Sequence, residues 1–426
     1  MNEVIIIGGG PAGAALGGYL SKAGIQNVIL EGAIHPREHV GESMVMSCVK
    51  VFQDLDFLET MENSGSIRKY GASWHETKGR ESSLTFADFP QDGVNQSYTY
   101  HVDRSTFDLN LLKHAEKLGS QVYQGVQVKK VLFKNGQAHG VRARVADKEF
   151  NLESRLVVDA SGRNTLLGKQ LKIKRNDPIF NQYAVHTWFE GVDRGEGYTE
   201  EYIHIYFLPV ERGWAWQIPV SATQTSIGVV TEREVFRSFK GDIEQFFNHY
   251  VQSNDGLAKA VKNATRIKKL TTEGDYSYQM ERFVGDGWLL VGDAARFVDP
   301  IFSSGISVAL SSAKFASEVI IPALKHDDLS VNAFLSYEEK LKAGVNIWYE
   351  FILLYYKLLP LFTRFIRSEK YKADIHRLLQ GNVFDRKESP VLDAMREYIK
   401  KVESTENHIF KGQLTNLPID EFPIPE

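Results

Sequence analysis

The sequence predicts an α/β protein, with a parallel-stranded domain assembled from discontinuous segments, an antiparallel sheet and a C-terminal helical region. Three observations predict it. An apolar strand, a glycine-rich turn, a helix, a second strand and an acid follow in order over the first 31 residues. Two further apolar strands, ending in the small-residue turns VVDASG and VGDAA, stand far downstream. Alternating β patterns fill residues 181–230, and the pattern turns helical after residue 330.

The opening segment is the most specific. Val4 to Ile7 is a β-branched, fully apolar run, as a buried parallel strand requires. Gly8, Gly10 and Gly13 follow at G-x-G-x-x-G spacing, and Pro11 to Ala23 read as a helix. Gly8 permits the tight turn, Gly10 lets a pyrophosphate approach the backbone, and Gly13 with Gly17 allows close helix–strand packing. The helix start, with Pro11 and Ala12, offers free N–H groups and positive dipole character to phosphate. A second strand, Asn27 to Leu30, ends at Glu31, 18 residues beyond Gly13, where a ribose-binding carboxylate belongs.

That unit predicts a Rossmann-like dinucleotide site, open between NAD and FAD. The later elements favour FAD. Leu156 to Asp159 is a strand whose D-A-S-G turn can appose the first motif, and Trp288 to Val291 lead into Gly292 and Asp293. Asp293 at a strand end suits a ribityl hydroxyl, and Ser303, Ser304 and Gly305 open a long helix whose N–H groups suit an anion or a flavin carbonyl. The expected FAD-binding domain comprises residues 1–70, 98–180 and 266–330, and the substrate domain 71–97 and 181–265. A helical cap and tail take 331–426.

Composition excludes several classes. Hydrophobic residues make up 43% and charged residues 24%, and the net charge is -4, with no long basic stretch for a nucleic-acid partner. One cysteine, Cys48, excludes an intrachain disulfide and a thiolate cluster. His101, His186 and His204 lack ligand spacing, so no metal is expected. No basic n-region precedes the first strand, so the cytoplasm is the expected compartment.

Together these elements resemble the FAD-dependent monooxygenase superfamily over most of residues 1–330. The resemblance implies that Gly8, Gly10, Gly13 and Glu31 hold the ADP half. It places Arg104, in HVDRSTFD, near the isoalloxazine or pyrophosphate, and Gly292 and Asp293 at the ribityl region. Gly41, Glu42 and Ser43 then line the channel beside the flavin. Two motifs narrow the likeness to flavin-dependent halogenases of phenolic or carrier-bound substrates. GWAWQIP carries Trp214, Trp216, Ile218 and Pro219, and Phe297, Pro300, Ser303 and Gly305 keep an F-x-x-P-x-x-S-x-G spacing. In that family a flavin C4a-hydroperoxide is attacked by halide, and hypohalous acid passes along a tunnel to a lysine. The tryptophan pair separates flavin from substrate. Halide is expected beside the flavin, near the backbone of Ser304 and Gly305, and Pro300, Ser304, Gly305 and Ile306 are expected among the cofactor-binding residues.

Lys69, in IRKYGASW ahead of Gly71 and Ala72, stands about where carrier- or phenol-acting members keep that lysine, so the resemblance makes it the candidate; Arg68, which does not readily deprotonate, cannot replace it, and Lys78 is the weaker candidate. Phe302 stands where tryptophan-acting halogenases keep a glutamate, which points away from free tryptophan. The implied partners are an aromatic or hydrophobic small molecule, free or carrier-bound, halide, oxygen and a separate flavin reductase. The sequence leaves the oligomer undetermined. A hydroxylase, or a geranylgeranyl-reductase-like enzyme whose kin share an aromatic-x-W-x-F-P segment, is the alternative activity. A flavin-binding module without catalysis is a third.

After residue 330, VNIWYEFILLYYKLLPLFTRFI is very apolar, but Glu350, Lys357 and Arg364 interrupt it and Pro360 kinks it. A helical cap over the substrate mouth is the expected use, and peripheral membrane contact the alternative. The tail beyond 403, ending FPIPE, reads as loop.

Overall fold

The computed structural model describes residues 2–274, 277–385 and 389–419; FPIPE lies outside them. The first strand, β1 (Asn2–Ile7), feeds the helix α1 (Pro11–Lys22), and β2 (Asn27–Glu31) returns parallel to β1. The long strand β3 (Lys148–Asp159) lies on the other side of β1, also parallel. Trp288–Leu290 pairs parallel to β3, and Gln121–Gln124 parallel to β2. The parallel sheet therefore draws its strands from three separated stretches of chain, as the sequence predicts. β3 begins earlier than Leu156 because its first half pairs antiparallel with Gln137–Val145 before the strand enters the parallel sheet.

A second sheet is built from Gln182–Glu190, Gln224–Glu232, Trp214–Pro219 and Ile203–Phe207 as antiparallel neighbours. Gly71–His75 and Glu81–Thr85 extend it at the far edge. A small ribbon, Ile67–Lys69 against Thr99–His101, leads into that edge. Two helices follow that sheet in the chain, Arg233–Ser238 and Ile243–Gln252, separated by a break. Asp242 explains the break: its carboxylate caps Gln245 N–H while the Gln245 side chain caps Asp242 N–H, a reciprocal pair that starts a helix anew.

Two long helices complete the molecule, α2 (Ser304–His326) and α3 (Leu335–Lys357). α2 is long and apolar enough to cross a membrane, yet 72% of its most apolar window is buried against the rest of the chain. It packs along α1, beneath the parallel sheet. α3 carries the apolar run predicted as a cap. Its Trp348, Phe351, Ile352, Leu353, Leu354, Tyr355 and Tyr356 are wholly buried. The run is spent inside the protein, so these side chains do not form the outward apolar face that membrane contact needs. One hydrophobic core joins the parallel sheet, α1, α2 and α3, and a smaller one lies between the antiparallel sheet and Ile243–Gln252.

Candidate active site

A cavity of about 1690 Å³ runs from the glycine-rich turn to the antiparallel sheet. Its near end is made by the turn after β1. Gly8 has φ +105°, and an added Cβ would lie 2.4 Å from Ala160 O. The turn thus packs against the D-A-S-G turn at the end of β3, the apposition expected from sequence. Gly13 is not at the cavity; a Cβ there would lie 2.0 Å from Gly8 O, so its role is packing helix on turn. Gly10 is extended and caps α1 without a side chain, and Pro11 follows, so the first helical N–H groups are left for a ligand. Glu31, at the end of β2, accepts Gly9 N–H at 2.7 Å and Ala33 N–H at 2.8 Å. Its carboxylate is thereby fixed at the wall beside the turn.

The middle of the cavity is ionic. Arg104 makes a bidentate pair with buried Asp108, at 2.8 and 3.0 Å, and donates to Val40 O. Gly41, with φ +95°, lies where a Cβ would sit 3.0 Å from the Arg104 guanidinium. His39 beside Arg104 is pushed down to about 4, chiefly by that guanidinium, and stays neutral. Asp293 lines the cavity, and its carboxylate has no hydrogen-bond partner among the described residues. Burial pushes its carboxyl up to about 6, against the pull of Arg104 and Arg163. Gly292 does not line the cavity; its N–H donates to Ser312 Oγ at 2.8 Å and it packs on Ala12.

At the far end stand Pro300, Ser303, Gly305 and Ile306, where α2 begins. Ser303 is left-handed, φ 57°, and gives α2 no side-chain cap, so the helix start keeps free N–H groups beside the cavity. Ser304, expected at the cavity, is buried behind it, its hydroxyl donating to Asp299 O at 3.3 Å. Trp214 and Trp216 close this end, side by side on one face of their strand with ring centroids 5.9 Å apart. Trp216 fits because its cross-strand partner is Gly228, where a Cβ would lie 2.2 Å from the indole.

Lys69 is buried outside the cavity wall. Its Nζ donates to Ser43 Oγ and Met44 O, both at 2.8 Å, and Ser43 lines the cavity. No carboxylate among the described residues pairs with it, and burial pulls its ammonium down to about 7. Lys78 is exposed on a turn and is not brought to the site. Among the described residues no group of three or more His, Cys, Asp or Glu could hold a metal ion. Sequence reasoning missed Arg37, which lies within ion-pair reach of Glu31 and Asp108, and Arg163, which lines the same wall. Arg163 directly follows D-A-S-G and was findable; Arg37 carries no local signal.

These walls fit FAD. A helix N-terminus with a glycine approach suits the pyrophosphate, Glu31 the adenosine ribose, the unpartnered Asp293 carboxylate a ribityl hydroxyl, and the start of α2 the flavin ring edge. Comparison with known proteins agrees. Residues 1–341 match the family described as FAD binding domain. The 1H-pyrrole-2-carbonyl-[peptidyl-carrier protein] chlorinase of Pseudomonas fluorescens is 41% identical, over 98% of this chain and 97% of its own. A 1H-pyrrole-2-carbonyl-[peptidyl-carrier protein] brominase of Pseudoalteromonas luteoviolacea is 30% identical, over 94% of this chain and 97% of its own. The solved flavin-dependent brominase Bmp2 superposes with a TM-score of 0.85 at 27% identity, over 94% of this chain and 99% of its own.

Proposed function

Because this chain belongs to the FAD-binding domain family and, within it, to the flavin-dependent halogenases, we propose that it halogenates an electron-rich heteroaromatic acyl group tethered to a carrier protein. It is an FAD-dependent oxidoreductase. The substrate class rests on the two carrier-bound pyrrole halogenases that it resembles nearly end to end. Phe302, in place of a glutamate, agrees: it is buried and stacks on Phe351 with centroids 4.6 Å apart, so an apolar packing residue stands where an acid would assist the lysine.

The observation that carries the chemistry is Lys69: a buried amine, held toward about 7, one hydroxyl away from the cavity. When bound, reduced FAD supplies two electrons to dioxygen, which lets halide be oxidised to hypohalous acid. The start of α2 at Gly305 and Ile306 offers N–H groups to a halide anion. Trp214 and Trp216 wall the flavin off from the aromatic substrate, so the substrate meets halogen rather than the cofactor. Lys69, whose basicity burial lowers toward about 7 so that the free amine is accessible near neutral pH, takes the electrophilic halogen from hypohalous acid with loss of water. It then gives the halogen to the ring carbon, whose proton leaves. An ammonium has no lone pair for that step, which is why the depressed basicity matters.

No second G-x-G-x-x-G occurs in the chain, so reduced flavin is to come from a separate reductase. The test supplies reduced FAD from such a reductase, with oxygen and chloride or bromide, to pyrrole-2-carbonyl carrier protein and to free pyrrole-2-carboxylate. Mass spectrometry is expected to find halogen on the carrier-bound ring and none on the free acid. Hydroxylated product without halogen, or halogenation of the free acid alone, sinks the reading.

A further inference from the structure

Each indole of the tryptophan pair is held by its N–H, and both are held by the same device. Trp214 Nε1 donates to Tyr356 OH at 2.9 Å, and that hydroxyl donates to Asp299 Oδ1 at 3.0 Å. Trp216 Nε1 donates to Ser226 Oγ at 3.0 Å, and that hydroxyl donates to Glu42 Oε1 at 3.0 Å. All six side chains are buried. We propose that Tyr356 with Asp299, and Ser226 with Glu42, are positioning residues: two hydroxyl–carboxylate relays, one per indole, that fix the orientation of the wall between flavin and Lys69. The inference rests on reading Trp214 and Trp216 as that wall.

The chemistry of the groups explains the arrangement. An indole N–H only donates, whereas a hydroxyl both donates and accepts. A hydroxyl free to rotate offers the indole either its hydrogen or a lone pair. Once its hydrogen is committed to a carboxylate, only lone pairs remain for the indole. The torsion that turns an indole about its Cβ–Cγ bond is broad and roughly two-fold, so packing alone selects the ring's face weakly. A directed N–H bond selects one orientation.

The anchors are as informative as the bonds. Glu42 precedes Ser43, which holds Lys69 Nζ at 2.8 Å, so the Trp216 relay is referenced to the lysine. Asp299 Oδ1 also accepts Ile301 N–H at 2.9 Å, and Asp299 O accepts from Ser304, so the Trp214 relay is referenced to the loop that opens α2. Tyr356 comes from α3, so a helix outside the parallel and antiparallel sheets reaches the reaction chamber through Trp214, which lines it. The wall is thus tied at one end to the amine and at the other to the flavin and halide end.

The test uses the 426-residue chain labelled with ¹⁵N in the indoles of its 6 tryptophans. In the protein without flavin, Tyr356→Phe is expected to move the Trp214 indole N–H signal and speed its hydrogen exchange at least tenfold, leaving Trp216 unchanged. Ser226→Ala is expected to do the converse, and Ser226→Thr, which keeps the hydroxyl, to restore the wild-type signal. With FAD, halide and substrate, Tyr356→Phe is expected to lower product per reduced flavin about fivefold or more and to raise free hypohalous acid trapped in solution, with FAD affinity within about twofold of wild type. Adding Tyr356→Phe to Trp214→Phe, which has no indole N–H left to hold, is expected to cost nothing further. An unmoved Trp214 signal, an unchanged product-to-leak ratio, or losses that add in the double variant overturn the relay. Wild-type enzyme that makes no halogenated product overturns the functional reading instead, and the indole signals then decide the relay alone. Should Tyr356→Phe fail to fold, the Ser226 variants decide.

Discussion

Lys69 Nζ lies 2.8 Å from Ser43 Oγ, a buried amine bonded to a hydroxyl and a carbonyl with no carboxylate among the described residues paired to it. A buried lysine so placed is costly when charged. Its folded basicity, about 7 against the usual 10.5, means the unfolded chain holds its proton more tightly. The destabilisation is therefore full below pH 7 and relieved as pH rises from 7 to 10.5. Lys69→Met is expected to melt at a higher temperature than wild type, by most below pH 7 and by progressively less toward pH 10. The same variant is expected to bind FAD and release hypohalous acid without halogenating substrate, and wild-type halogenation to rise with pH through about 7. A melting difference that grows with pH, or product from Lys69→Met, contradicts this.

Glu31 is fixed by two backbone N–H groups at the end of β2, facing the cavity. Glu31→Ala removes both the ribose acceptor and the brace on the turn at Gly9. FAD affinity is expected to fall at least tenfold, about 1.4 kcal/mol or more. Titration of flavin fluorescence checks it, and an affinity within about twofold of wild type rules out the ribose role.

Gly228 lies opposite Trp216, and a Cβ there would meet the indole at 2.2 Å. Because the obstructing group is a ring packed on a strand rather than a flexible end, Gly228→Ala must displace the tryptophan. The expected result is FAD bound as tightly as in wild type, with product per reduced flavin lowered several-fold. Equal loss of FAD affinity would show the damage to be general.

Asp299 is buried, and burial pushes its carboxyl up to about 7 despite the hydrogen bonds from Ile301 and Tyr356. An acid raised in the folded state costs nothing below its unfolded value near 3.8. It destabilises increasingly as pH rises toward 7. Asp299→Asn keeps an acceptor for Tyr356 and cannot ionise. Its stability relative to wild type, read by urea unfolding, is expected to improve between pH 4 and pH 8. A difference that is flat or worsens over that range shows that Asp299 is not held near 7.

Some of the site was legible because it is contiguous. The glycine turn, the helix behind it and Glu31 lie within one strand–helix–strand unit, and their relation is dictated by local geometry. The tryptophan pair was legible for a related reason: residues two apart on a strand share a face. Lys69 is proposed from a likeness of motif, and its burial is not legible there, since a lysine in IRKYGASW reads equally well as exposed. Ser304 and Gly292 were expected at the cavity because their neighbours belong there. Neither lines it: the Ser304 hydroxyl is bonded to Asp299 O and the Gly292 N–H to Ser312 Oγ, partners that spacing does not encode.

By itself the sequence determined the α/β class, the phosphate-binding turn, FAD and the halogenase likeness, because each is carried by short segments whose geometry is set by near neighbours. Tertiary structure alone decided that the apolar run of α3 is buried, that Lys69 is desolvated, and that Tyr356, 142 residues from Trp214, holds its indole. Those facts depend on which surfaces distant segments bury against one another. Burial sets the protonation of an amine and the partner of an N–H, and no local pattern fixes it.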